Sequence, residues 1–137
     1  CDPRVAEPVS FENLLEQADI VSLHCPLTTE TRHLISHDAF ARMKHGVMLI
    51  NTARGAVVDT DALLAALESG KVAGAGLDVF PDEPHVPAAL LQHDRVVCTP
   101  HIGTNTSLTR CEMAEACSRQ ILDVLSGKRP DNIVNGL

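Results

Sequence analysis

Short apolar stretches alternate along this chain with stretches whose apolar residues recur at three- and four-residue steps, and no other feature restricts the fold as much. A strand, a helix and a further strand close most readily as a βαβ unit, so the alternation predicts an α/β fold with a parallel sheet. Ser10 is placed to cap a short helix running through Ala18, with Leu14, Leu15 and Ala18 on one face. Asp19 to His24 then reads as a strand, stopped by Pro26. Ser36 caps a second helix with Asp38 in its first turn, and Gly46 is its expected end. The unbroken apolar run Val47-Met48-Leu49-Ile50 has the pattern of a strand buried on both faces and leads into Asn51-Thr52-Ala53-Arg54-Gly55. Thr60 is the expected cap of a helix carrying Leu63, Leu64 and Leu67, closed by Gly70. Lys71 to Val79 reads as a strand whose Ala73, Gly74, Ala75 and Gly76 imply close backbone approach. A Pro-rich loop over 80–87, a helical turn at Leu90-Leu91 and a strand from Arg95 to Cys98 follow. From about Asn105 to Ser126, Leu108, Cys111, Ala114, Cys117, Ile121, Leu122 and Leu125 recur at helical spacing, which predicts one long helix packed against a core and stopped by Gly127.

The length of 137 residues suits one domain with a real core. That core must be aliphatic, because there is no Trp or Tyr and there are only three Phe. A net charge of −7 without any cluster of Lys and Arg argues against nucleic acid, whose phosphates require a basic face. No apolar run reaches the roughly 20 residues that span a bilayer. No basic-then-apolar signal segment opens the chain, so a cytoplasmic protein without a membrane partner is expected. The five cysteines (Cys1, Cys25, Cys98, Cys111 and Cys117) form no C-x-x-C pair, which leaves zinc ribbons and thioredoxin chemistry unsupported. His33 and His37 are four apart, but Ser36 as a cap puts His33 ahead of the helix and no third ligand completes a set, so no metal is expected. Cys25 and Cys98, small residues at strand ends, read as packing rather than as nucleophiles.

Three strand ends carry polar residues of a telling kind. The strand at 47–51 leads to Arg54, the strand at 71–79 carries Asp78 and leads to Glu83, and the strand at 95–98 leads to His101. Taken singly, a loop arginine, acid or histidine is most often a solvated surface group. Parallel strands with right-handed crossovers would bring all of these residues to one edge of the sheet, where open α/β folds place their ligand crevice. A guanidinium presents a planar fork suited to a carboxylate. An imidazole can exchange a proton with a substrate oxygen near neutrality, and a neighbouring carboxylate fixes its tautomer and favours the imidazolium.

The sequence resembles the D-isomer-specific 2-hydroxyacid dehydrogenases. The likeness rests on five motifs in order, Asp19-Ile20-Val21-Ser22-Leu23-His24-Cys25-Pro26-Leu27-Thr28, Asn51 to Gly55, Gly76-Leu77-Asp78-Val79, Asp82-Glu83-Pro84 and Pro100-His101-Ile102-Gly103, and it extends from Asp2 to Asn135. The resemblance implies a Rossmann-type doubly wound parallel sheet and NAD as cofactor. It implies that Arg54 binds the substrate carboxylate and carbonyl, that His101 is the acid/base and that Glu83 pairs with it. It further implies that Asp78 meets the nicotinamide carboxamide and that Cys25, Pro26, Thr52, Ala53 and Gly103 belong to the dinucleotide site with Arg54 and His101. Asp2 resembles the acid that binds the adenine-ribose hydroxyls and favours NAD over NADP. The implied reaction interconverts a 2-oxo acid and a D-2-hydroxy acid, in a full-length protein that is a homodimer. Formate dehydrogenases of the same superfamily pair their histidine with glutamine, so Glu83 argues against that branch.

The sequence contains no G-x-G-x-x-G, the phosphate-binding turn that family members carry after their first strand. The expectation is therefore a fragment: residues 1–103 as the second half of an NAD-binding domain, and 104–137 as hinge, long helix and tail returning to the substrate domain. The family strand order places the first two strands between those at 19–24 and 47–51, so the isolated chain is expected either to have a gap there or to close its strands up in a non-family order, to bind NAD weakly and to have no turnover. An NAD-binding corepressor-like interaction protein of the same fold is the alternative in a different functional class.

Overall fold

Four strands, Ile20–Leu23 (β1), Val47–Asn51 (β2), Val72–Leu77 (β3) and Val96–Cys98 (β4), form one parallel sheet in the order β1-β2-β3-β4. Helix Phe11–Gln17 (α1) precedes the first strand, helices His37–Arg42 (α2), Thr60–Glu68 (α3) and Ala88–Leu91 (α4) join the strands, and Ser107–Leu125 (α5) follows the last. This is a computed structural model that describes residues 8–130, 132 and 133. By its internal contacts the chain divides into two units, 1–101 and 102–137.

The expected gap between the first two strands is not there. Ile20, Val21, Ser22 and Leu23 pair directly with Met48, Leu49, Ile50 and Asn51. The segment between them is thus a crossover to an adjacent strand, and the backbone groups between β1 and β2 are satisfied by that ladder.

Burial alternates along β1 and β2, and this corrects the reading of β2 as covered on both sides. Val47 and Leu49 are buried while Met48, between them, is 45% exposed. Pairing register puts Val21, Leu49 and Ala75 on the covered face and Ile20, Met48 and Gly74 on the other, where Gly74 is nonetheless buried. The covered face packs with Leu15, Ile35, Leu63 and Leu67 into one core that is aliphatic but for Met43 and the rings of Phe40 and Phe80. Each such leucine contributes roughly 1.5–3 kcal/mol by leaving water.

Helix starts follow their caps. Ser10 Oγ accepts from Asn13 N–H and Ser36 Oγ from Ala39 N–H. In α3 the cap is Asp59 rather than Thr60, because the Asp59 carboxylate accepts from both Asp61 and Ala62 N–H and so satisfies two orphan donors with a charged acceptor. Helix α2 stops at Met43, and Gly46, with φ 82°, instead turns the chain into β2.

The second unit holds α5, capped by Thr106 through Thr109 N–H. None of its residues is buried: Leu108, Ile121, Leu122 and Leu125 are 70%, 60%, 65% and 78% exposed. No helix among the described residues is long and apolar enough to cross a membrane.

Candidate active site at the ends of the strands

Beyond the end of β2 the chain makes a tight loop around the side chain of Asn51. Asn51 Oδ1 accepts from Ala53 N–H at 3.0 Å, and Nδ2 donates to the Arg54 carbonyl at 3.0 Å. Arg54 itself is extended and exposed, with Nη1 donating to the Ala53 carbonyl at 2.6 Å. The following turn, Gly55–Val57, is buried and pinned from the other side by His33 and Ile35, whose N–H groups donate to the Ala56 and Val57 carbonyls.

Gly55 can only be glycine for a reason of space. A Cβ there would overlap the Phe80 carbonyl group and the Pro81 nitrogen. The Arg54 loop therefore abuts the loop that holds Glu83. We predict that Gly55→Ala costs about 3 kcal/mol or more, because backbone cannot yield as a flexible side chain can. Urea unfolding of the full-length protein checks this, and an unchanged midpoint would contradict it.

The ends of β3 and β4 are joined by main chain. Asp78 N–H donates to the Asn51 carbonyl, Thr99 N–H to the Leu77 carbonyl and His101 N–H to the Asp78 carbonyl, each at 2.9 Å. The Asp78 side chain is buried and accepts from Thr99 Oγ1 at 2.5 Å. His101 has φ 53°, a left-handed conformation uncommon outside glycine and tolerated by His, Asn and Asp. Its Nδ1 lies 2.7 Å from Glu83 Oε2, and Glu83 Oε1 accepts from Phe80 N–H at 2.9 Å. With Nδ1 engaged, Nε2 is the ring nitrogen that can exchange a proton with a ligand.

The His101 hydrogen bond, and after it the Phe80 N–H, hold the Glu83 carboxyl below its ordinary value, against a smaller opposing effect of partial burial. A carboxylate with a lowered pKa contributes stability above the ordinary glutamate range and loses it as pH falls through the lowered value. Carbon-detected NMR of Glu83 is expected to give a midpoint under 4.5 that moves up in His101→Ala. A midpoint at 4.5 or above would show that the pair does not persist in solution.

His24, Cys25, Pro26, Leu27, Thr52, Ala53 and Arg54 line an open cleft of about 520 Å³, within the size range of small-molecule sites. The cleft brings together Cys25, Pro26, Thr52, Ala53 and Arg54, as expected from the sequence. Asp78, Glu83 and His101 are not among its walls and cluster through the bonds just given. Gly103 falls in the second unit, and Asp2 lies outside the described residues. Cys25 and Cys98 pack against the aliphatic core. Among the described residues no three His, Cys, Asp or Glu gather as metal ligands. The sequence placed Asn51 and Gly55 within the run that contains Arg54 but assigned no role to Asn51, Gly55 or Thr99. A polar residue closing an apolar strand was the signal for the first, and a glycine directly after the arginine was the signal for the second.

Residues 1–103 match the D-isomer specific 2-hydroxyacid dehydrogenase, NAD binding domain. A glyoxylate reductase of Thermococcus litoralis is 48% identical over 130 residues, covering 95% of this chain and 39% of the relative. The D-3-phosphoglycerate dehydrogenase of Bacillus subtilis is 47% identical over 118 residues, 86% of this chain and 22% of the relative. Among solved structures, D-lactate dehydrogenase with NAD+ from Lactobacillus jensenii superposes with a TM-score of 0.82 at 36% identity, over 93% of this chain and 42% of that one. The glyoxylate reductase from Paecilomyes thermophila gives a TM-score of 0.80 at 48% identity, over 84% of this chain and 35% of that one. The chain spans about two fifths or less of the length of these curated relatives. The parallel sheet is of the Rossmann type, and with residues 1–103 matched, the chain belongs to the D-isomer specific 2-hydroxyacid dehydrogenase family as part of its NAD binding domain.

Proposed function

We propose that the full-length protein carrying this chain is an NAD-dependent oxidoreductase interconverting a 2-oxo acid and a D-2-hydroxy acid. The substrate class is that of glyoxylate/hydroxypyruvate reductases or phosphoglycerate dehydrogenases. The observation that carries this reading is the 2.7 Å contact of His101 Nδ1 with Glu83 Oε2, at strand ends tied by main chain to the loop of Arg54.

Arg54 binds the substrate carboxylate through parallel N–H donors and fixes the orientation of the 2-oxo carbon. Protonated His101 donates from Nε2 to the carbonyl oxygen as negative charge develops there, and neutral His101 takes the hydroxyl proton in the reverse direction. Glu83 holds the ring by Nδ1 and stabilises the imidazolium. Asp78, a buried acceptor fixed by Thr99, suits the carboxamide of a nicotinamide. The nicotinamide, when bound, supplies or accepts the hydride. Cys25, Pro26, Thr52 and Ala53 form the wall of the dinucleotide cleft, Gly103 is a further cofactor-binding residue, and Asp2 gives the preference for NAD over NADP. In this reading residues 1–103 form the second half of the NAD-binding domain, and 104–137 form the hinge, long helix and tail. The full-length protein is a cytoplasmic homodimer.

With β1 and β2 paired, weak cofactor binding by the isolated 137 residues rests on the phosphate-binding turn alone, since the sequence has no G-x-G-x-x-G. The test is oxidation of NADH by the full-length protein with glyoxylate, hydroxypyruvate, pyruvate and 2-oxoglutarate. Turnover of at least one is expected, and none from the isolated chain. Tight NADH binding without turnover of any of the four would favour an interaction protein regulated by NAD.

A further inference from the structure

Asn51 occupies a place where its neighbours are apolar. On the buried face of the sheet it stands in register between Leu23 of β1 and Leu77 of β3, and it is only 1% exposed. Among the described residues, Asn51 and Asp78 are the two polar side chains buried to this degree. A buried carboxamide is costly unless both of its ends are bonded. Those of Asn51 are, and both bonds go to the loop of Arg54: donor to the Arg54 carbonyl and acceptor from Ala53 N–H, each at 3.0 Å. Through its main-chain carbonyl the same residue accepts from Asp78 N–H at 2.9 Å, and the Asp78 carbonyl accepts from His101 N–H at 2.9 Å.

We infer that Asn51 is a positioning residue of the site, fixing the separation between the Arg54 main chain, from which the guanidinium extends, and the strand end that bears Asp78 and His101. This rests on the proposed dehydrogenase reading. Rotation of the backbone at residue 53 or 54 breaks one of the two side-chain bonds, so the arginine enters the crevice from a single origin. A carboxamide carries the required donor and acceptor at this reach whatever the pH. Leucine has nearly the same volume and neither group. An ionised aspartate keeps the acceptor for Ala53 but sets oxygen against the Arg54 carbonyl, whereas a protonated aspartate regains the donor.

The test compares Asn51→Leu and Asn51→Asp in the full-length protein, using turnover of a 2-oxo acid and the Kd of NADH by fluorescence. For Asn51→Leu the KM of the 2-oxo acid is expected to rise about 10- to 100-fold, well beyond any rise in the Kd of NADH, whose proposed cleft shares Thr52 and Ala53 with this loop. For Asn51→Asp the KM is expected to be raised at alkaline pH and to fall back toward that of the unmodified protein as pH is lowered and the carboxyl protonates. That recovery is measurable even if Asn51→Leu fails to fold. An unchanged KM in either variant, a Kd of NADH that rises in step with KM, or a deficit in Asn51→Asp that does not depend on pH would each overturn the inference. Absence of turnover in the unmodified protein would instead sink the dehydrogenase reading, and this inference with it.

Discussion

Replacing His101 by asparagine is expected to lower kcat of the full-length protein about 100- to 10,000-fold, the range associated with losing a positioned general acid. Asparagine is the informative substitution because residue 101 has φ 53°, and asparagine accepts the left-handed conformation as readily as histidine does. The His101 N–H bond to the Asp78 carbonyl is made by backbone and survives the change. The spacing of the strand ends is thereby kept, and the loss reports on proton transfer. Binding of NADH should change little. A decrease of less than tenfold would mean that another group protonates the carbonyl oxygen.

Arg54→Gln should act on substrate binding. Two charge-assisted hydrogen bonds to a carboxylate together amount to about 4 kcal/mol, so kcat/KM is expected to fall about 1,000-fold, with most of the change in KM. The fold should be indifferent, because Arg54 is exposed and its carbonyl, not its guanidinium, is what Asn51 holds. Arg54→Lys should recover part of the loss, since an ammonium keeps the charge and gives up the planar fork. Steady-state kinetics with one 2-oxo acid across the three proteins decides the matter. Equal KM values would remove Arg54 from the site.

Much of the fold was legible because its local signals were strong. The bounds of β2 could be read to the residue, Val47–Asn51, between a glycine with positive φ and a polar end. The caps at Ser10 and Ser36 were readable because a hydroxyl directly before an apolar-periodic stretch has one efficient use. What local pattern cannot encode is which strands are neighbours. The direct pairing of β1 with β2 depends on the crossover between them, and periodicity says nothing of it. The same limit applies to α5, whose apolar spacing describes a stripe without saying that anything covers it. Met48 was misread because an unbroken apolar run looks alike whether one face or both are covered.

At the site, charged residues at strand ends stood out, and Glu83 and His101 do meet. The supporting residues did not stand out, because their partners lie elsewhere in the sequence. Gly55 is required by the Phe80–Pro81 peptide, and Thr99 by Asp78. Asn51 acts on residues close by, but a polar residue after an apolar run reads equally well as the place where a strand stops.

The ties between the ends of β2, β3 and β4 are amide to carbonyl, from Asp78 to Asn51 and from His101 to Asp78. Every amino acid but proline carries those groups. The edge of the sheet is therefore a socket wired through its frame, into which different contacts can be fitted. A new side chain at 78 alters what the socket offers while its dimensions stay fixed. At 101 the positive φ narrows the exchange to glycine, asparagine, aspartate and histidine. A lineage using this scaffold could try one reactive group after another at these positions and keep the same geometry throughout.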